Sequence, residues 1–308
     1  MRTLVSVANR YPAVRLRIPL FAAAILGAAA FAAACSPLTL LNAVVPHNGH
    51  VRTADLSYGE LPRQKLDVYV PDGPTTEALK PVVVFFYGGG WESGDRVDYR
   101  FIGEALTSRG NVVVVPDYRL YPEVLFQGFM ADGAQAVRWV KRNIDRFGGD
   151  PGRIFLMGHS SGAHIAAMLT LNEQYLEGVG MTPAELRGMI GLAGPYDFLP
   201  FVRESSKIIF GPETEFWRSQ PINYVNGRNR PMLLMTGDDD DVVHPANAAH
   251  LAAKIKVRGG SVRAIEYAGV GHAGILARLA APFRGDGEVL RTVSDFVKSE
   301  SGRILKAD

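Results

Sequence analysis

Three side chains in this 308-residue sequence could together move an acyl group. The first is Ser160, which sits in Gly158-His159-Ser160-Ser161-Gly162 and alone has glycine at both −2 and +2. The apolar run Ile154–Met157 precedes it and Ala163–Leu169 follows, so the pentapeptide reads as a sharp turn from strand to helix. On such a turn the backbone is strained and the serine hydroxyl stands exposed above the sheet edge. A serine hydroxyl is a weak nucleophile at neutral pH. It needs a base to take its proton and a third group to hold that base.

In an open parallel sheet, functional side chains gather beyond the carboxyl ends of the strands. Two apolar runs end in suitable residues. Met232–Met235 is followed by Thr236-Gly237-Asp238-Asp239-Asp240-Asp241-Val242-Val243, and Val262–Tyr267 by Ala268-Gly269-Val270-Gly271-His272. Of the seven histidines, only His272 follows a strand within a glycine-flanked loop. His159 and His164 adjoin the turn and read as packing or hydrogen-bonding residues. His244 borders the acidic loop, His250 falls within a helix, and His47 and His50 precede the first strand pattern. Four adjacent carboxylates repel, so at most one is expected to turn inward toward an imidazole. The order is Ser160, then an aspartate near 240, then His272.

The elements that must position these groups follow from periodicity. Leu66–Val70 alternates and stops at Pro71, which predicts an edge strand. Val82–Phe86 and Val112–Val115 are unbroken apolar runs, as in strands covered on both faces. Helical patterns run over Phe101–Ser108, Met130–Phe147, Ala246–Val257 and Glu288–Lys298. The segment 196–225 breaks the alternation with Phe198, Phe201, Phe210, Phe216 and Trp217 at no clean period. Strands alternating with helices predict one mostly parallel sheet with helices on both faces, and a short cap insertion near 196–225.

From about residue 58 onward the chain resembles the α/β-hydrolase carboxylesterases, above all their hormone-sensitive-lipase-type and kynurenine-formamidase-like branches. The resemblance rests on YGGGW at 87–91, PDYRLYP at 116–122, the GGDP turn at 148–151, GHSSG, GDDDDVV and GVGH, in that order. It implies the α/β-hydrolase fold and a catalytic triad in the chain order Ser…Asp…His. The family pattern G-x-x-D-x-x-V selects Asp240 as the acid, with Asp241 next and the other aspartates as a solvated loop. It also implies an oxyanion hole from the backbone of Gly89, Gly90 and Ser161, with Gly88 as the alternative register. Tyr87 stands where relatives carry histidine, a departure that puts the bracing of this loop in question. Trp91 and the aromatics of 196–225 could wall an acyl pocket or be core. Asp197 reads as a brace for the insertion.

Arg2, Arg10, Arg15 and Arg17 precede an uncharged apolar run, Ile18–Ala34, that ends in alanines before Cys35, the single cysteine. Residues 1–34 read as an export signal. The position of Cys35 resembles a bacterial lipoprotein signal, which would make it the lipidated N-terminus and a membrane tether. Ala32 departs from the residue usual in that box. One thiol allows no internal disulfide. Residues 35–55, punctuated by Pro, Asn and Gly, read as a tether, and 56–308 as the hydrolase domain. The whole chain has 33 basic and 31 acidic residues. Without the first 34 residues the count becomes 29 against 31, so no basic excess speaks for a nucleic-acid partner. Metal-ligand spacing, a P-loop and a dinucleotide fingerprint are absent, so neither metal nor cofactor is expected.

The expectation is an exported serine carboxylesterase acting on small to medium carboxylic esters. The rivals are an amidase or formamidase, a polysaccharide acetyl or feruloyl esterase, a membrane-surface lipase, and a hydrolase-fold binding protein without activity.

Overall fold

The computed structural model describes residues 38, 41, 42, 45, 46, 48–73 and 78–303. The export segment and Cys35 lie outside them. From Leu41 onward the chain forms one compact unit. Its centre is an eight-stranded sheet in the order β1-β2-β4-β3-β5-β6-β7-β8. The strands are β1 (His50–Ser57), β2 (Lys65–Pro71), β3 (Lys80–Phe86), β4 (Val112–Pro116), β5 (Gly149–His159), β6 (Leu186–Leu192), β7 (Met232–Gly237) and β8 (Val262–Tyr267). β1 and β2 run antiparallel to their neighbours, and every pairing from β4 to β8 is parallel.

Parallel pairing requires crossovers, and these supply the two covering layers. The helices are α1 (Arg100–Thr107), α2 (Phe126–Asn143), α3 (Ser161–Leu171), α4 (Glu173–Glu177), α5 (Glu204–Ile209), α6 (Ala246–Val257), α7 (His272–Ala277) and α8 (Glu288–Gly302). α1 packs on α8, while α2 packs on α3. The sheet between them is dry: Val82–Phe86, Val112–Val115 and Ile154–Met157 are fully buried. That is why these strands read as continuous apolar runs rather than alternating ones. The expected α/β-hydrolase architecture is therefore the one that forms.

Two boundaries differ from expectation. Residues 50–55 belong to β1 and not to a tether, and Leu41 and Val45 before them are buried. β1 therefore takes the edge position, and β2 is internal, paired on both sides. The alternation in β2 hid this because Asp67 is buried despite its charge. Its carboxylate accepts from Arg52 Nη2 (2.6 Å) and Arg96 Nε (3.0 Å).

Register places the site. Phe86 lies beside Gly158, His159 beside Leu192, Leu192 beside Met235, and Gly237 beside Tyr267. The strands thus end level, and the loops at 87–91, 160–161, 238–243 and 268–272 open on the same edge. Removing core from this frame should be costly. Leu156→Ala in β5 is expected to lower stability by about 2–5 kcal/mol in chemical denaturation.

Candidate active site

β5 hands directly over to α3 at Ser160, whose backbone sits at φ 53°, ψ −125°. Its N–H donates to Leu192 O (2.9 Å), and its carbonyl accepts from Ala163 N (2.9 Å) and His164 N (3.2 Å). The turn sets α3 so close to the end of β3 that a Cβ on Gly162 would sit 2.0 Å from Phe86 O. Only glycine fits there.

The three expected side chains meet. His272 Nε2 lies 2.9 Å from Ser160 Oγ, and His272 Nδ1 lies 2.9 Å from Asp240 Oδ2. Asp240 is buried, and its Oδ1 also accepts from Val242 N (3.0 Å) and Val243 N (2.8 Å). Those amides hold the carboxylate aimed at the imidazole. Asp239 and Asp241 are exposed. Asp238 is more than a solvated charge, because its Oδ1 accepts from Gly269 N (2.7 Å). It pins the acid loop to the loop that delivers His272.

The glycine loop after β3 comes up against the serine: a Cβ on Gly88 would be 3.0 Å from Ser160 Cβ. Gly89 and Gly90 follow at φ 134° and 64°. A Cβ on Gly89 would meet Ser93 O at 2.1 Å. The N–H of Ser161, in the first turn of α3, needs no intrahelical acceptor and is free for an anion. A tetrahedral oxyanion held by such amides would be stabilised where its charge develops.

Tyr87 answers the question raised by the missing histidine. Its hydroxyl donates to Asp117 Oδ1 (2.8 Å) and accepts from Arg63 Nη2 (2.9 Å), while its ring stacks on Tyr99 and Tyr118. Asp117 also accepts from Arg96 Nη1 and from Arg96 N (2.8 Å). Tyr118 Oη donates to Tyr87 O (2.8 Å), and Tyr121 N to Trp91 O (2.8 Å). The PDYRLYP segment is thus a clamp on both ends of the glycine loop. Burial raises the Asp117 carboxyl, against the opposing pull of the Arg96 N–H, the Tyr87 hydroxyl and the Arg96 charge. Burial also works against the Arg96 charge, which Asp117 and Asp67 more than offset.

Trp91 is only 6 % exposed. Its ring packs edge-on against His164 and Phe210 (5.2 and 4.8 Å) and stacks on Phe129 and Phe198 (6.3 and 6.1 Å). Of the two roles open to it from sequence, it takes that of core, sealing the cap to α2 and α3. His164 completes the seal by bonding Ser219 O through Nε2 (2.7 Å). Asp197 does brace the insertion: its carboxylate meets His250 Nδ1 (2.8 Å), and its N–H donates to Asn247 Oδ1 (2.9 Å). His244 Nδ1 accepts from Ala246 N (3.2 Å) at the start of α6, rather than joining the triad.

One contact had no signal in the sequence. His159 Nε2 donates to His272 O (3.0 Å), and the two rings are 4.8 Å apart. The residue beside the serine therefore holds the backbone of the imidazole that serves it. Among the described residues no cluster of His, Cys, Asp and Glu could hold a metal.

His159 and His164 are pushed down to about 4, first by burial and for His159 also by nearby His272. In an unfolded chain both return to about 6.5. Between those values the unfolded state binds more protons, so stability falls as pH drops from about 6.5 toward 4 and is unaffected above. Each ring contributes at most about 3 kcal/mol to that loss. Denaturation at neutral and acid pH should show it. His159→Gln, which keeps a donor for His272 O and cannot titrate, should shrink it.

The chain matches the BD-FAE family over residues 66–255. It is similar to a probable isoprenylcysteine alpha-carbonyl methylesterase of Arabidopsis thaliana, 38% identical over 47% of this chain and 35% of the other. It is also similar to esterase LipC of Mycobacterium tuberculosis, 30% identical over 73% of this chain and 60% of that protein. The chain thus spans about a third to three fifths of the length of these relatives. Among solved structures, a truncated carbohydrate esterase from gut microbiota superposes with a TM-score of 0.72 at 21% identity, covering 84% of this chain and 99% of that one. The chain belongs to the BD-FAE family and carries the α/β-hydrolase fold of the carboxylesterases its motifs resemble.

Proposed function

We propose that the protein is a serine carboxylesterase that cleaves small to medium carboxylic esters through an acyl-enzyme on Ser160. The observation that carries this reading is the unbroken relay Ser160 Oγ, His272 Nε2, His272 Nδ1, Asp240 Oδ2, with both links at 2.9 Å. Ser160 attacks the ester carbonyl while His272 takes its proton. The same proton then goes to the departing alcohol, and water repeats the cycle on the acyl-enzyme. Asp240 holds the imidazole in one tautomer and offsets the charge it gains. The amides of Gly89, Gly90 and Ser161 take the oxyanion. The esterase relatives support an ester substrate, and the complete triad argues against a catalytically silent binding protein.

Export from the cytoplasm belongs to the same proposal and is supported by the arginine-rich start, the apolar run to Ala34 and Cys35. The mass of the mature form tests it. A lipidated N-terminus at Cys35 would establish a membrane tether, and an intact Met1 would refute cleavage.

Ser160→Ala should lower kcat on p-nitrophenyl acetate by about 10⁴-fold or more, with the folded state retained. Activity close to wild type would remove the serine from this role. Asp240→Asn should cost about 10³- to 10⁴-fold, and Asp241→Asn less than about three-fold. The reverse ranking would reassign the acid.

A further inference from the structure

The cap stretch 201–205 comes up against the glycine loop. Phe201 is buried and packs on Phe198 and Phe210, both of which meet Trp91. Ser205 Oγ donates to Glu92 Oε2 (3.1 Å), tying the first turn of α5 to the residue after Trp91. Between these two anchors stands Arg203. A Cβ on Gly90 would lie 3.5 Å from Arg203 Nη1 and 3.7 Å from Glu92 Oε2. The guanidinium is thus within about 5 Å of Gly90 Cα, beside an amide assigned to the oxyanion.

The cap itself makes no use of this cation. Arg203 is exposed, and among the described residues its guanidinium has neither a hydrogen-bond acceptor nor an ion-pair partner. The neighbouring carboxylates are engaged elsewhere: Glu204 pairs with Lys207 (2.6 Å), and Glu92 accepts the Ser205 hydroxyl. The opposite rim of the site has the other sign. In the sheet order, the glycine loop after β3 and the acid loop after β7 flank the serine turn after β5 from two sides. The acid loop presents Asp239 and Asp241 exposed. The mouth of the site is therefore cationic where Arg203 overhangs Gly90 and anionic on the side of the acid loop.

A guanidinium offers five donors in a planar fork, which a carboxylate meets with two parallel bonds. An ester whose carbonyl oxygen rests on the Gly90 amide has its substituents close to that fork. A carboxylate a few methylenes from the ester carbonyl would reach it, while repulsion from Asp239 and Asp241 would disfavour the reverse orientation. We propose that Arg203 is a specificity-determining residue that selects esters carrying a carboxylate on a short spacer. The chemistry it reads is the same whether that carboxylate stands on the acyl or the alcohol side of the ester. The proposal rests on the esterase reading and adds the charge of the substrate to it.

The test compares two charged esters with neutral partners of similar size on the full chain: monomethyl glutarate with dimethyl glutarate, and 4-acetoxybutyrate with butyl acetate. The first pair carries the carboxylate on the acyl side, the second on the alcohol side. Hydrolysis is followed by base uptake at constant neutral pH. In at least one pair, Arg203→Ala should lower the charged-to-neutral ratio of kcat/KM by about ten-fold or more. The loss should fall on KM rather than kcat, and Arg203→Lys should lose less. Glu92→Gln, which removes the carboxylate beside the guanidinium, should raise the ratio several-fold. About 0.5 M NaCl should compress the wild-type ratio. Reading a ratio cancels any difference in the amount of folded enzyme. A ratio unchanged by Arg203→Ala in both pairs overturns the proposal and leaves the esterase reading intact. So does an equal fall on charged and neutral esters, which would make Arg203 a brace of the glycine loop. Hydrolysis of no ester by the wild type would overturn the esterase reading instead, and the substrate class with it.

Discussion

The site depends on one strained residue. Ser160 at φ 53°, ψ −125° occupies backbone space that a side chain normally avoids, at a cost on the order of 1–3 kcal/mol. It is held there by large, ordinary interactions on either side. β5 is buried from Ile154 to His159 and paired on both edges, and α3 is buried along its length. The Ser160 N–H is tied to β6 through Leu192 O. β5 and α3 can meet at this angle because Gly158 has no Cβ, which would sit 2.2 Å from Gly162 O, and Gly162 in turn lets α3 close on the end of β3. The strain keeps the hydroxyl above the sheet edge, where the loops after β3, β7 and β8 reach it.

Those loops are fixed by polar contacts. Asp117 receives the Tyr87 hydroxyl and the Arg96 backbone and guanidinium, and so anchors the glycine loop below the positions an oxyanion would occupy. Asp238 stitches the acid loop to the loop carrying His272, and His159 holds the His272 carbonyl. Removing Asp117 would take a buried acceptor from the Tyr87 hydroxyl and the Arg96 N–H. The site is thereby organised before a substrate arrives, which is what electrostatic stabilisation of a transition state requires.

The elbow, the order of the triad and the parallel sheet were legible because each leaves a local mark: an apolar run, then a glycine turn or an acidic or histidine loop at its carboxyl end. The choice of Asp240 over its neighbours came from the family pattern, and the amides of Val242 and Val243 supply the physical reason. β1 was missed because its faces are polar, with burial that follows no two-residue period, and only pairing with β2 makes it a strand. The Arg96 network was invisible for another reason. Arg52, Asp67, Arg96 and Asp117 lie on separate elements, and nothing in their spacing says they meet. The aromatics of 196–225 showed no period because the cap is made of short turns, and Trp91, on which Phe198 and Phe210 pack, is more than a hundred residues upstream.

The central claim is that Ser160 is the nucleophile, activated by His272. Its most direct test is peptide mapping by mass spectrometry after stoichiometric reaction with a fluorophosphonate. One adduct on Ser160 is predicted, absent when His272 is replaced by alanine in a folded variant. An adduct on Ser161 or elsewhere, or none on the wild-type chain, would contradict the account.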